Sequence, residues 1–192
     1  MSLPDVISAR HQVLKHFRWI NGDADTWAML AEPHSLRAII AGLTELARPA
    51  QPDLILGIEA RGFVLGPAVA AALGVGFVPV RKEGGMFPGD VIRRVTAPDY
   101  RGNTVELSTR RDLIQPGQRV VLIDDWIETG SQSLASAQLV SGCGAELCAV
   151  VTIVDETSDD ARAQLPPIHA LVTGKELPRA LPLGANRPKH QL

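Results

Sequence analysis

The chain has 192 residues, 45% of them apolar and 21% charged, which fits one ordinary globular domain large enough for a proper core. A formal net charge of −2 argues against a broad nucleic-acid-binding surface. No apolar run approaches the length of a membrane span, and Met1 to Arg10 shows no basic start followed by an apolar leader.

Apolar side chains at Leu3, Val6, Ile7, Val13, Leu14 and Phe17 recur at helical spacing, so a helix is expected over 3–17. Asn21-Gly22-Asp23 signals a turn flanked by Trp19 and Trp27. Two indoles around a polar loop either stack on a flat base or plug the edge of the core. Pro33 to Arg48 reads as a helix with Pro33 near its start and Pro49 and Pro52 beyond its end. Asp53 to Ile58 reads as a short buried strand, Phe63 to Leu73 as a helix and Phe77 to Val80 as the next strand. Strand, helix and strand in such a short span make a parallel βαβ unit.

Residues 81–118 are charged and interrupted by Gly84-Gly85, Pro88-Gly89, Pro98 and Pro116-Gly117. Extended stretches at Val91 to Thr96 and Thr104 to Ser108 predict a hairpin projecting from the sheet as a lid. Beyond a central strand and turn come a helix to Gly142, a strand over 147–154, a short helix over 157–165 and a last strand over 168–172. The tail, with Pro178, Pro182 and Pro188, reads as irregular. Cys143 and Cys148 lack companion His or Cys clusters, so free thiols of a reducing, cytoplasmic compartment are expected.

The chemistry concentrates between Arg119 and Ser133. Val120 to Ile123 form a buried strand, Asp124 and Asp125 follow at its carboxyl end, and a turn with Thr129, Gly130 and Ser131 opens a helix. Open α/β sheets bind ligands beyond the carboxyl ends of their strands. A glycine turn at a helix start offers backbone N–H groups and a positive dipole end to a phosphate. Carboxylates suit sugar hydroxyls, which donate to them. The expected ligand is therefore a ribose 5-phosphate.

This segment resembles the 5-phosphoribosyl pyrophosphate (PRPP) motif of the type I phosphoribosyltransferases. Glu59-Ala60-Arg61-Gly62-Phe63 and Arg81-Lys82 resemble the pyrophosphate loops of the adenine branch, and the likeness runs from about Pro33 to Lys175. Gly66-Pro67, Asp99-Tyr100-Arg101-Gly102 and Pro116 to Val120 belong to it. The branch's phosphate turn usually reads Ala-Thr-Gly-Gly-Thr, whereas this chain has Glu128-Thr129-Gly130-Ser131-Gln132. A carboxylate at Glu128 is similar to the hypoxanthine-guanine enzymes, and the branch's Phe-Arg-Asp base-recognition stretch falls on Asp23-Ala24-Asp25.

The resemblance implies a single α/β domain over 1–192, with a central, mostly parallel sheet flanked by helices, a hood at 1–32 and a hairpin lid at 82–118. It implies transfer of the 5-phosphoribosyl group from PRPP to a purine, adenine first, with release of pyrophosphate. A 6-oxopurine enzyme and a PRPP-binding regulator without turnover are the alternatives. Asp124 and Asp125 would hold the ribose hydroxyls, Thr129, Gly130, Ser131 and Gln132 would hold the 5′-phosphate, and Glu128 would border the PRPP site. Ala60, Arg61, Gly62, Arg81 and Lys82 would take pyrophosphate, and Asp23, Asp25, Trp19 and Trp27 the base. Glu128, or Asp99 from the lid, would exchange the proton. Mg²⁺ would arrive with PRPP, with few direct protein ligands. PRPP and a nucleobase are the expected partners, in a homodimer, with no nucleic acid or membrane.

Overall fold

The structure, a computed structural model, describes residues 2–84, 87–98 and 102–178. The N-terminal helix α1 (Leu3–His16) starts on Pro4 and Asp5 and ends on Lys15 and His16, charges that suit the two ends of a helix dipole. A small antiparallel hairpin, β1 (Arg18–Ile20) and β2 (Asp23–Asp25), turns at Asn21-Gly22. A five-residue helix not foreseen in the sequence, α2 (Trp27–Ala31), follows, and the Ala28 N–H donates to Asp25 Oδ1 at 3.1 Å. Helix α3 (Pro33–Ala47) is capped by Glu32, which accepts from the Ser35 N–H at 2.6 Å.

The βαβ unit is β3 (Leu54–Ile58), α4 (Gly62–Leu73) and β4 (Gly76–Val80). The hairpin is β5 (Val91–Val95) and β6 (Glu106–Arg110). The remainder is β7 (Arg119–Ile127), α5 (Ser131–Gly142), β8 (Glu146–Asp155), α6 (Asp159–Arg162) and β9 (Ile168–Thr173). The five strands of the main sheet pair in parallel in the order β4-β3-β7-β8-β9. All five residues of β3 are buried, as expected of a parallel strand covered on both faces. One face packs Ile55, Val121, Ile123 and Val151 against α1, α3 and α4, and the other packs Leu56, Leu122 and Val150 against α5 and the hairpin. Among the described residues no helix is long and apolar enough to cross a membrane.

Three expectations change. First, the central strand does not end before the acids: β7 runs on to Ile127, so Asp124 and Asp125 lie within it, pairing alongside β8. Second, the helix expected over 157–165 shrinks to α6, because Thr157 is drawn to the Asp155 carboxylate and Ser158 caps the helix one residue later. Third, the base of the hairpin is anchored rather than projecting. Arg81 and Ser108 exchange two backbone hydrogen bonds of 2.9 Å, Thr109 Oγ1 donates to the Pro79 carbonyl, and Ile92 and Leu107 are buried in the core. The hairpin tip with Asp99, together with Gly85, Pro182 and Pro188, lies outside the described residues.

The end of β9 is clasped to α1. Glu176 accepts from the Thr173 N–H at 2.8 Å and Oγ1 at 3.0 Å, and pairs with the Arg10 guanidinium. Arg10, with help from Thr173, holds the Glu176 carboxyl down at about 2. A depressed carboxyl stabilises the fold above its unfolded value, near 4.3, and that contribution fades as pH falls toward the folded value. Glu176→Gln should therefore lower Tm by about 1–2 °C at neutral pH, a modest loss because the pair is half exposed. In thermal scans the gap to wild type should be full above pH 5 and should close between pH 4.3 and 2.

Candidate active site

A cavity of about 620 Å³ opens at the carboxyl ends of β3, β4, β7 and β8, roofed by the β1–β2 hairpin. Each strand end delivers polar groups to it. Beyond β3 come Glu59, Ala60 and Arg61; beyond β4, Lys82; on and beyond β7, Asp124 through Ser133; beyond β8, Glu156. Adjacent strands lie about 4.8 Å apart, so the strand order fixes the order of the chemistry across the cavity. Cations occupy the β3–β4 side, Asp124 the middle, and Glu156 with Trp126 and Trp19 the β8 side.

Side chains alternate along a strand, so the neighbouring acids of β7 point to opposite faces. Asp125 shares the face of Val121 and Ile123 and is 4% exposed. Its Oδ2 accepts from the Thr26 hydroxyl at 2.9 Å and pairs with the Arg61 guanidinium. Asp124 takes the other face, that of Leu122. Its Oδ1 accepts the Asp125 N–H at 3.0 Å. Burial raises the Asp124 carboxyl well above the ordinary aspartate value and the Asp125 charge adds to this, with Lys82 and Arg61 opposing.

The turn into α5 has Gly130 at φ 74°, in the left-handed region. A Cβ there would also press on the end of the Leu165 side chain, which can shift, so the left-handed backbone is what calls for glycine. The N-cap residue Gly130 has no side chain to cap α5, the Ser131 N–H donates to Thr129 Oγ1 at 3.3 Å, and Gly130 through Ser133 line the cavity, so the N–H groups of Gln132 and Ser133 stand at a helix start suited to an anion. The Thr129 hydroxyl donates to Ser131 Oγ at 3.1 Å, and the two hydroxyls stand together at the same turn.

Of the residues expected from sequence, Ala60, Arg61, Lys82, Asp124, Asp125, Glu128, Thr129, Gly130, Ser131, Gln132, Asp23 and Trp19 line this one cavity. Four lie outside its lining. Gly62 is buried beneath the sheet end, where a Cβ would press on the Gly57 backbone and the Ile123 carbonyl, so its bare Cα serves helix–sheet packing. Arg81 turns to Glu59 at 3.6 Å and to the Phe87 ring at 6.0 Å. Asp25 is spent on α2, and Trp27 lies half-exposed on the outer side with the Arg61 guanidinium 5.9 Å from its ring centroid. Trp19 combines both readings of the indoles: it packs edge-on to Phe17 and Trp126 and also lines the cavity. Sequence reasoning missed Thr26, Trp126 and Glu156, whose places depend on contacts between distant segments.

The profile of the phosphoribosyl transferase domain family matches residues 26–175, and the chain belongs to that family, a class of transferase enzymes. Its relatives carry a narrower name. An adenine phosphoribosyltransferase of Desulfitobacterium hafniense is 40% identical over 131 residues, 68% of this chain and 74% of that protein. The crystal structure of adenine phosphoribosyltransferase from Rhodothermus marinus superposes with a TM-score of 0.76 at 31% identity, covering 86% of this chain and 98% of that one. The Saccharomyces cerevisiae enzyme, solved with an imino-altritol bisphosphate and adenine, gives 0.74 at 29% identity over 85% of this chain and 98% of that one.

The two acids should respond oppositely to neutralisation. A folded-state carboxyl raised above its unfolded value of about 3.9 destabilises the fold as pH climbs through that interval. Asp124→Asn should therefore raise the Tm of the ligand-free, Mg²⁺-free protein by about 3 °C at pH 7.5, with the gain vanishing below pH 4. Asp125→Asn weakens the acceptor between Thr26 and Arg61 and should cost about 2 kcal/mol in urea denaturation. Equal shifts of one sign in both variants would contradict this division.

Proposed function

We propose that the protein transfers the 5-phosphoribosyl group of PRPP to adenine, releasing pyrophosphate and forming adenosine monophosphate in purine salvage. The observation that carries the reading is the assembly, in one cavity, of cations, the half-buried Asp124 carboxylate and a glycine turn opening a helix, on adjoining strand ends. Near relatives named for adenine supply the base.

Three subsites follow the strand order. The α5 turn holds the 5′-phosphate through backbone N–H groups and the hydroxyls of Thr129 and Ser131. Arg61 and Lys82, with the Ala60 backbone, hold pyrophosphate. Asp124 accepts from ribose hydroxyls and lends negative potential to the oxocarbenium-like centre as the C1–oxygen bond breaks. The expectation that both acids grip the diol gives way here to a division of labour. Asp125 positions Arg61 and the Thr26 end of the hood instead.

Mg²⁺ fits this donor set. The cavity offers two half-buried carboxylates, Glu59 and Asp124, and no group of three His, Cys, Asp or Glu able to hold a metal occurs among the described residues. A small, strongly hydrated cation bound mainly through substrate oxygens suits such a site, where it supplies charge neutralisation on pyrophosphate.

As the C1–nitrogen bond forms, the base gives up a ring proton. Glu128 follows β7, lines the cavity beside the phosphate turn and is exposed, so its carboxylate can reach the acceptor and take that proton. Like charges 4 Å apart repel by roughly 4 kcal/mol at an effective dielectric near 20, which directs Glu128 away from the phosphate. The unpaired thiols Cys143 and Cys148 fit a reducing, cytoplasmic setting, and a homodimer is the expected assembly.

Two measurements test the reading. Incubation with PRPP, Mg²⁺ and adenine, hypoxanthine, guanine, xanthine, uracil or orotate should yield a nucleotide chiefly from adenine, read by chromatography. PRPP binding without product would point to a regulator, and a better 6-oxopurine substrate would displace adenine. Glu128→Gln should lower turnover about 10²-fold while PRPP affinity holds or tightens. Wild-type turnover in that variant would pass the proton-transfer role to Asp99.

A further inference from the structure

Resting on the adenine reading, we propose that Glu156 determines base specificity by accepting a hydrogen bond from the exocyclic amino group of the acceptor. Glu156 is the first residue after β8, and its N–H donates to the Ile127 carbonyl at 2.8 Å, so its side chain emerges where β7 enters the cavity. The carboxylate is held from two sides. Trp126 Nε1–H donates to Oε2 at 3.0 Å. The rest of the group lies against Gly174, where an added Cβ would overlap Glu156 Cγ, Cδ and Oε1. Gly174 does not need glycine for its backbone, because its φ is outside the left-handed region. The bare Cα is there to give the carboxylate room.

Such seating is unusual for an exposed glutamate, whose side chain gains nothing in water from being fixed. It makes sense for a group that must meet a ligand at one angle. An ionised carboxylate has acceptor positions only, and the indole N–H occupies one of them. The ring beside it, Trp126, packs 6.1 Å from Trp19, and both line the cavity. Glu156 is the charged lining residue that follows β8, and the lining also holds the acids Glu128, after β7, and Asp23, in the hood hairpin. A ring bearing an amino group forms a charge-assisted hydrogen bond there. A ring bearing a carbonyl at the same place leaves two acceptors facing each other, unpaired.

The test compares adenine with 6-methylpurine, which has the same outline without the donor. Wild type should favour adenine in kcat/KM by about 10- to 100-fold, the scale of a hydrogen bond to a charged group. Glu156→Gln should collapse that ratio by about tenfold and raise relative use of hypoxanthine, since an amide can donate to a carbonyl. Gly174→Ala leaves the charge in place but displaces the carboxylate, and should move the ratio the same way. PRPP affinity, read by calorimetry, should stay as in wild type for both, which separates base recognition from general damage to the site. If wild type uses adenine and both variants keep its adenine-to-6-methylpurine ratio, the role of Glu156 is overturned while the adenine reading stands. If wild type prefers guanine or hypoxanthine, or forms no nucleotide, the adenine reading falls and the inference with it.

Discussion

Adjacent residues on a strand enter opposite faces of the sheet, and on β7 that rule divides two aspartates between two environments. Asp125 goes to the helix-covered face, where burial is tolerable because Thr26 and Arg61 supply donors. Asp124 goes to the face of Leu122, where burial and its neighbour's charge disfavour ionisation while Lys82 and Arg61 favour it. The fold thus keeps one carboxylate satisfied and one under electrostatic tension. On the proposed function, hydroxyl donors or a cation-bearing substrate would relieve that tension, so stability at this position would be exchanged for affinity, a trade common at functional sites.

The buried pair also explains how the hood is joined to the sheet. Thr26 precedes α2, and its hydroxyl reaches Asp125 across a separation of 99 residues. On the opposite side, Trp19 packs on Phe17 and Trp126, and its indole N–H donates to the Pro178 carbonyl at 2.6 Å. Arg10 and Glu176 close the same junction further out. The N-terminal segment is therefore fixed at several points around the cavity. The hairpin, by contrast, is fixed at its base through Arg81, Ser108 and Thr109.

The sheet and the main elements were legible because their signals are local. Apolar runs at β3 and β7, proline near the start of α3 and the stretch around Gly130 each speak for themselves. The site was legible where it follows from strand ends, which is why Arg61, Lys82, Asp124 and the turn converge as read. Roles that depend on which way a side chain faces were not legible. Gly62 looked like a ligand-approach glycine and is a packing glycine; Arg81 sits at a strand end but turns to Glu59. Asp25 and Trp27 lie in the right loop yet are claimed by α2 and the outer surface. Glu156 carried no signal at all, since its seat is made by Trp126 and by the absence of a side chain at Gly174.

Strand order turns this sheet into a charge gradient. From β4 to β8 the strand ends present Lys82, then Arg61 with Glu59, then Asp124, Asp125 and Glu128, then Glu156, so the cations of the lining all belong to the β4–β3 side. A substrate that is polyanionic at one end and transfers a carbon with developing positive charge fits such an order in one direction only. On the proposed function, pyrophosphate would take the cationic side, the reacting carbon would come over the central carboxylate, and the acceptor would be left among acids and indoles. The ribose phosphate would then meet the α5 turn that follows β7. Orientation would thereby follow from the topology of a parallel sheet before any side chain is tuned. What would remain to individual residues such as Glu128 and Glu156 is the choice of acceptor and the fate of its proton.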